Sequence, residues 1–182
     1  QKGGLSHVVS SLTIHNIMLE ERPDLLEVAY KHFYIDWRGE EGPGELPYIS
    51  VPMFSVEKGI LSSRIPSRIY VHSCERFGPE FKITQKQSEA LDFVQDIANR
   101  PELRLSMSFE EGDIQLLNNH TTMHARDAYI DHSELDNKRH LLRMWLSLRD
   151  GYRRPLAASL DHLYSVVENG GIPNTSSSLD SP

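Results

Sequence analysis

A mainly β fold with helical insertions, an antiparallel jelly-roll or barrel core with helices packed outside, is what this sequence predicts. Three observations lead there. Beyond residue 102 the apolar residues recur with period two, the spacing of half-buried strands. Helical spacing is confined to insertions near the start and in the middle of the chain. The 182 residues are 38% hydrophobic and 25% charged, enough for one domain with a real core.

The elements follow in order. Gly3-Gly4-Leu5-Ser6 reads as a turn after the end of a strand. Ser10 and Ser11 are N-cap residues for a helix over Leu12 to Glu21. Pro23 starts a second helix that buries Leu25, Leu26 and Ala29. His32 to Trp37 alternates as a strand, and Gly39 to Pro47 is a loop of acids, glycines and prolines. Tyr48 to Val56 and Ile60 to Ser63 are short strands about a Lys58-Gly59 turn. Arg68 to Ser73 is a further strand. Thr84 and Gln87 form a capping box, and Ala90, Leu91, Val94, Ile97 and Ala98 fall at helical spacing until Pro101. Strands are then predicted over Leu103 to Phe109, Ile114 to Asn118, Thr121 to His124 and His140 to Leu148, with a tight turn at Glu111-Gly112-Asp113. One domain over residues 1–168 and a disordered tail over 169–182, rich in Gly, Pro, Ser, Thr and Asn, complete the reading.

Composition narrows the function. The net charge of -7, with no basic stripe, argues against a nucleic-acid partner. No apolar run approaches the ~20 residues that span a bilayer, so no membrane partner is expected. Cys74 is the lone cysteine, which excludes an internal disulfide. With no signal-peptide pattern at the start, a cytoplasmic address is expected.

The chemistry concentrates in the C-terminal strands. His120 and His124 are four apart, a zinc-pair spacing on a helix. The β-branched Thr121 and Thr122 favour a strand, which sets the two imidazoles ~13 Å apart on one face, so at most one serves a given metal. On the following strand Arg139, Leu141, Arg143, Trp145 and Ser147 share one face. His140, Leu142, Met144, Leu146 and Leu148 share the other, which is apolar and expected in the core. Two guanidiniums on one face call for carboxylate partners, and a small dicarboxylate supplies them in two-point geometry. Taken singly, a histidine is ordinarily structural or at the surface, and an arginine ordinarily makes a surface ion pair.

Taken together, in order and spacing, Gly3-Gly4-Leu5-Ser6 with Ser10-Ser11, Glu111-Gly112-Asp113-Ile114, Asn119, His124-Ala125-Arg126 and Arg139-His140-Leu141-Leu142-Arg143 resemble the C-terminal half of the TauD/TfdA family of iron(II)- and 2-oxoglutarate-dependent dioxygenases. The resemblance runs from Lys2 to about Pro155. It implies a partial double-stranded β-helix, with Fe(II) as metal and 2-oxoglutarate as cosubstrate. In such enzymes a His-x-Asp pair and a distal histidine hold the iron. His124 matches the distal ligand. Arg139 matches the arginine that pairs with the far carboxylate of 2-oxoglutarate, and Ser6 a hydroxyl that contacts the same carboxylate. Arg143 matches an arginine nearer the metal that touches the cosubstrate or an anionic substrate group. Asn119 matches a supporting position before the histidine. The implied reaction hydroxylates a small organic substrate, with an anionic one mildly favoured by Arg143, and releases succinate and CO2.

The family's His-x-Asp lies upstream of the Gly-Gly turn, and here it would fall before residue 1. His132-Ser133-Glu134 fits His-x-Glu in letters but sits in a polar stretch and reads as solvated loop. The chain is therefore expected to be the C-terminal part of a longer dioxygenase, and on its own to be unstable or to self-associate as a homo-oligomer. Two other readings stay open. One is a non-catalytic truncated jelly roll that binds a carboxylate or a protein. The other is an unrelated β-rich module. An upstream His-x-Asp, and the convergence of His124, Arg139 and Ser6, separate the three.

Overall fold

The computed structural model describes residues 2–39, 41, 44–134, 138–144, 146, 148 and 154–165. In chain order the elements are β1 (Lys2–Gly3), β2 (Ser6–Ser10), α1 (Ser11–Glu21), α2 (Pro23–Ala29), β3 (His32–Asp36), β4 (Tyr48–Pro52), β5 (Phe54–Glu57) and β6 (Ile60–Ser63). They continue with α3 (Arg68–Ser73), two short 3-10 turns, α4 (Gln85–Ala98), β7 (Arg104–Met107), β8 (Thr122–Arg126), β9 (Tyr129–Ile130) and α5 (Ala158–Ser165). Among the described residues all strand pairings are antiparallel, in the sheets β1-β9, β7-β2-β8, β3-β4 and β5-β6. The expected combination of antiparallel sheets with helical insertions is present. No closed barrel forms among the described residues.

The helices obey local rules. Ser10 caps α1 by accepting from the Thr13 N–H at 3.2 Å. Pro23 opens α2, where its missing N–H is harmless. Thr84 and Gln87 form the reciprocal capping box of α4. The apolar faces then meet. Ile14 and Met18 of α1, Leu25, Leu26 and Ala29 of α2, and Leu91, Val94 and Ile97 of α4 enclose Phe33, Phe54 and Val9. Each large side chain buried this way contributes about 1.5–3 kcal/mol. A smaller cluster joins Leu160 of α5 to Ile35 and Val51.

Four expectations change. Arg68 to Ser73 is helix, not strand, because Pro66-Ser67 supplies a start: the Tyr70 and Val71 N–H groups bond to the Ser67 carbonyl. That start outweighs the β-branched Ile69 and Val71. Tyr48 to Val56 is two strands, broken at Met53, whose N–H turns to the Ala29 carbonyl while its own carbonyl accepts from Arg64. Pro52 has no N–H to extend the ladder. Residues 114–118 are not a strand, and Ile114 and Leu116 stay exposed. The described residues of 139–148 form no strand either, so the apolar face expected in the core, Leu142, Met144, Leu146 and Leu148, lies exposed. Alternation marks a face; it does not supply the neighbour that satisfies a strand's backbone. Trp145, Ser147 and the tail over 169–182 lie outside the described residues.

Candidate functional site

The three-stranded sheet β7-β2-β8 has two different faces. Val9 pairs with Met123 and points to the helical core. Ser6 pairs with Arg126 and Met107, and Val8 with His124 and Leu105, on the opposite face. Period two thus places Ser6 and His124 together, as diagonal neighbours about 7–8 Å apart. Ser6 is buried and His124 is exposed on this open side.

Close backbone packing fixes where Ser6 lies. Gly3 and Gly4 both have φ of 80°. A Cβ on Gly3 would lie 2.6 Å from the Ala128 carbonyl oxygen, so that approach requires glycine. The Gly4 N–H bonds to Ala128 at 3.2 Å, and the Asp127 N–H to Leu5 at 3.0 Å. On the core face His7 of β2 links β7 to the residue that follows β8. Its Nδ1 lies 2.8 Å from the Ser106 hydroxyl. Its Nε2 lies 2.9 Å from Asp127 Oδ1, an ion-pair approach without hydrogen-bond alignment.

Arg139 reaches this turn from a distant part of the sequence. Its Nη1 donates to the Gly4 carbonyl at 2.9 Å, and its own N–H donates to Asp131 Oδ1 at 3.0 Å. Its guanidinium lies 5.9 Å from the Phe109 ring centre and 6.0 Å from that of Tyr129. Arg143 comes close enough to His124 for its charge to be felt. Desolvation first, and that charge second, hold the His124 imidazole below the ordinary histidine range. It is therefore neutral at pH 7, with a lone pair to offer a metal. Asn119 is half-buried in the turn before β8. Neighbouring Asn118 shapes that turn: its side chain accepts from the His120 N–H at 3.0 Å and its carbonyl from Thr121 and Thr122. His120 itself precedes the strand.

Sequence reasoning missed several members of this neighbourhood. Arg126 shares the face of His124 and stacks over Tyr129 at 4.3 Å. Period two from His124 was the signal for it. Phe109 and Tyr129 left no signal, because only the fold brings them to Arg139.

Iron held by three protein ligands does not fit the described residues. No three His, Cys, Asp or Glu side chains converge among them. His132, Ser133 and Glu134 lie in an exposed loop. Among the described residues no helix is long and apolar enough to cross a membrane.

The chain is similar in sequence to known proteins. FR-33289 synthase of Streptomyces rubellomurinus is 39% identical over 160 residues, which are 86% of this chain and 47% of that protein. Taurine hydroxylase-like protein SAT17 of Stachybotrys chartarum is 32% identical over 144 residues, 78% of this chain and 36% of that protein. The chain thus spans less than half the length of each of these curated relatives. The family model described as taurine catabolism dioxygenase TauD, TfdA family matches residues 1–145. The chain belongs to the TauD/TfdA family of dioxygenases, whose members generally use iron(II) and 2-oxoglutarate.

Proposed function

We propose that these residues are the cosubstrate-binding part of an iron(II)- and 2-oxoglutarate-dependent dioxygenase that hydroxylates a small organic substrate and releases succinate and CO2. The observation that carries the reading is the meeting of distant residues at one sheet face. Ser6 and His124 share that face, and Arg139 is fastened to Gly4, two residues from Ser6. Arg139 and the Ser6 hydroxyl would hold the far carboxylate of the cosubstrate. His124 would be one metal ligand, Arg143 would face an anionic group, and Asn119 would steady the turn. The other two ligands would come from polypeptide outside these residues, which would also complete the jelly roll over the open face. The exposed Leu105, Leu142 and Met144 support that completion.

The test is a polypeptide extended by its upstream coding sequence. Succinate release with iron and 2-oxoglutarate is expected, and its loss in His124→Ala by about 100-fold or more. An extended protein without a His-x-Asp or His-x-Glu, or one whose turnover survives His124→Ala, overturns the reading. A second reading, a non-catalytic jelly roll that binds a carboxylate, draws on the lack of a three-ligand cluster among the described residues. It predicts 2-oxoglutarate binding that depends on Arg139 but yields no succinate.

A further inference from the structure

The β3-β4 hairpin, the end of β6 and helix α3 enclose a cavity of about 340 Å³, away from His124, Ser6 and Arg139. That volume is in the range of small-molecule sites. Ile35 and Ile49 give it apolar wall, Trp37 and Tyr70 aromatic wall, and Arg38 and Arg64 bring two guanidiniums. Of the acids of this region, the one that lines this cavity, Asp36, is already engaged. Asp36, buried to 4% exposure, accepts from Arg76 Nη2 at 3.0 Å and from the Arg38 N–H at 2.7 Å. Glu41 lines a neighbouring cavity with Arg38 and Arg76; its Oε2 is buried without a hydrogen-bond partner, and it makes no ion pair with either arginine among the described residues.

Arg38 and Arg64 are different. Among the described residues neither makes an ion pair with a carboxylate. The Arg64 Nε is buried without a hydrogen-bond partner, a costly state for part of a cation. Arg38 sits in the left-handed region, with φ of 57°, and its guanidinium lies 5.5 Å from the Tyr70 ring centre. A non-glycine residue held in that region is strained, and such strain gathers at ligand sites. Two guanidiniums without acidic partners, beside apolar and aromatic walls, match an acid group on a short apolar body.

We propose that this cavity is a binding site for a small organic oxyanion of the carboxylate, sulfonate or phosphonate class, held by Arg64 and Arg38 and independent of Arg139. The site does not rest on the dioxygenase reading. It joins the candidate site mechanically, since the N–H and hydroxyl of Ser63, next to Arg64, both bond to the His120 carbonyl before β8.

Trp37 lines the cavity and reports on it. In the 182-residue chain with Trp145→Phe, its fluorescence is followed during titration with butyrate and with inorganic phosphate. Tetramethylammonium is the cationic control. Saturable change with the anions and none with the cation is expected. The affinity should fall at least tenfold in Arg64→Gln and in Arg38→Gly, and stay within twofold in Arg139→Gln. Arg38→Gly relaxes a left-handed backbone, so it tests the site even where Arg64→Gln fails to fold. No saturable response, a response that survives both substitutions, or one lost in Arg139→Gln overturns the proposal.

Discussion

Residues 11–98 and residues 104–148 solve the folding problem differently. The first stretch holds most of the buried core: Ile14, Met18, Met53 and Ile97 have no exposed surface. The second leaves Leu105, Ile114, Leu116, Leu142, Met144, Leu146 and Leu148 between 64% and 85% exposed. A helix satisfies its backbone within itself and needs only one face covered. A strand needs neighbours on both sides, and a jelly roll needs an opposing sheet. The difference teaches that the buried core and the candidate site lie largely in different parts of this chain. The helical part is packed, with Val9 and Met123 of the sheet completing its core. The site face leaves its apolar side chains uncovered among the described residues.

The sharpest way to break that comparison is Leu91→Ala. Leu91 is 4% exposed in the helical core. Its truncation should cost about 2–5 kcal/mol in denaturant unfolding. A loss below about 1 kcal/mol would mean that the helical part is not what holds the chain together. Next comes Arg139→Ala, on the site side. In an extended, active polypeptide it should raise the 2-oxoglutarate requirement about 10- to 100-fold, from loss of a charge-assisted pair of about 1.5–3 kcal/mol. Unchanged cosubstrate dependence would place the carboxylate on another arginine.

The same contrast explains what the sequence disclosed. The caps at Ser10 and Thr84, Pro23 at a helix start, and the face of α4 were all legible, because each depends on residues within a few positions. The order of motifs placed Ser6 and His124 in one expected site but did not disclose their shared sheet face, since strand pairing across more than 100 residues leaves no local mark. The Arg139–Gly4 bond, the His7 link and the rings beneath Arg139 were illegible for the same reason. Residues 139–148 misled in the opposite direction. Their alternation is real, but the described residues hold no strand partner for it.

Asp36→Asn probes the helical side through pH. Burial pushes the Asp36 carboxyl up, but the Ser73 hydroxyl, the Arg38 N–H and Arg76 outweigh it and hold it below the usual aspartate range. A carboxyl whose folded pKa is depressed stabilises the protein above its unfolded value, about 3.9, and loses that contribution as pH falls through the folded value. Wild type should exceed Asp36→Asn by about 1–3 kcal/mol at neutral pH. The gap should hold down to about pH 5 and narrow below about pH 4. A gap that widens on acidification would mean that Asp36 is protonated in the folded protein.

The smallest effect is the most discriminating. Leu142→Ser and Leu146→Ser remove exposed apolar groups, so unfolding of the dilute chain should change by no more than about 0.5 kcal/mol. Sedimentation at rising concentration should show less self-association than wild type, because an open apolar face drives it. In an extended polypeptide that completes the sheet, the same substitutions should become costly, about 2–5 kcal/mol, since the leucines would then be core. Equal, small effects in both proteins would show that residues 141–148 stay at the surface whatever joins them. The open face would then be a feature of the fold and not an unfinished half of it.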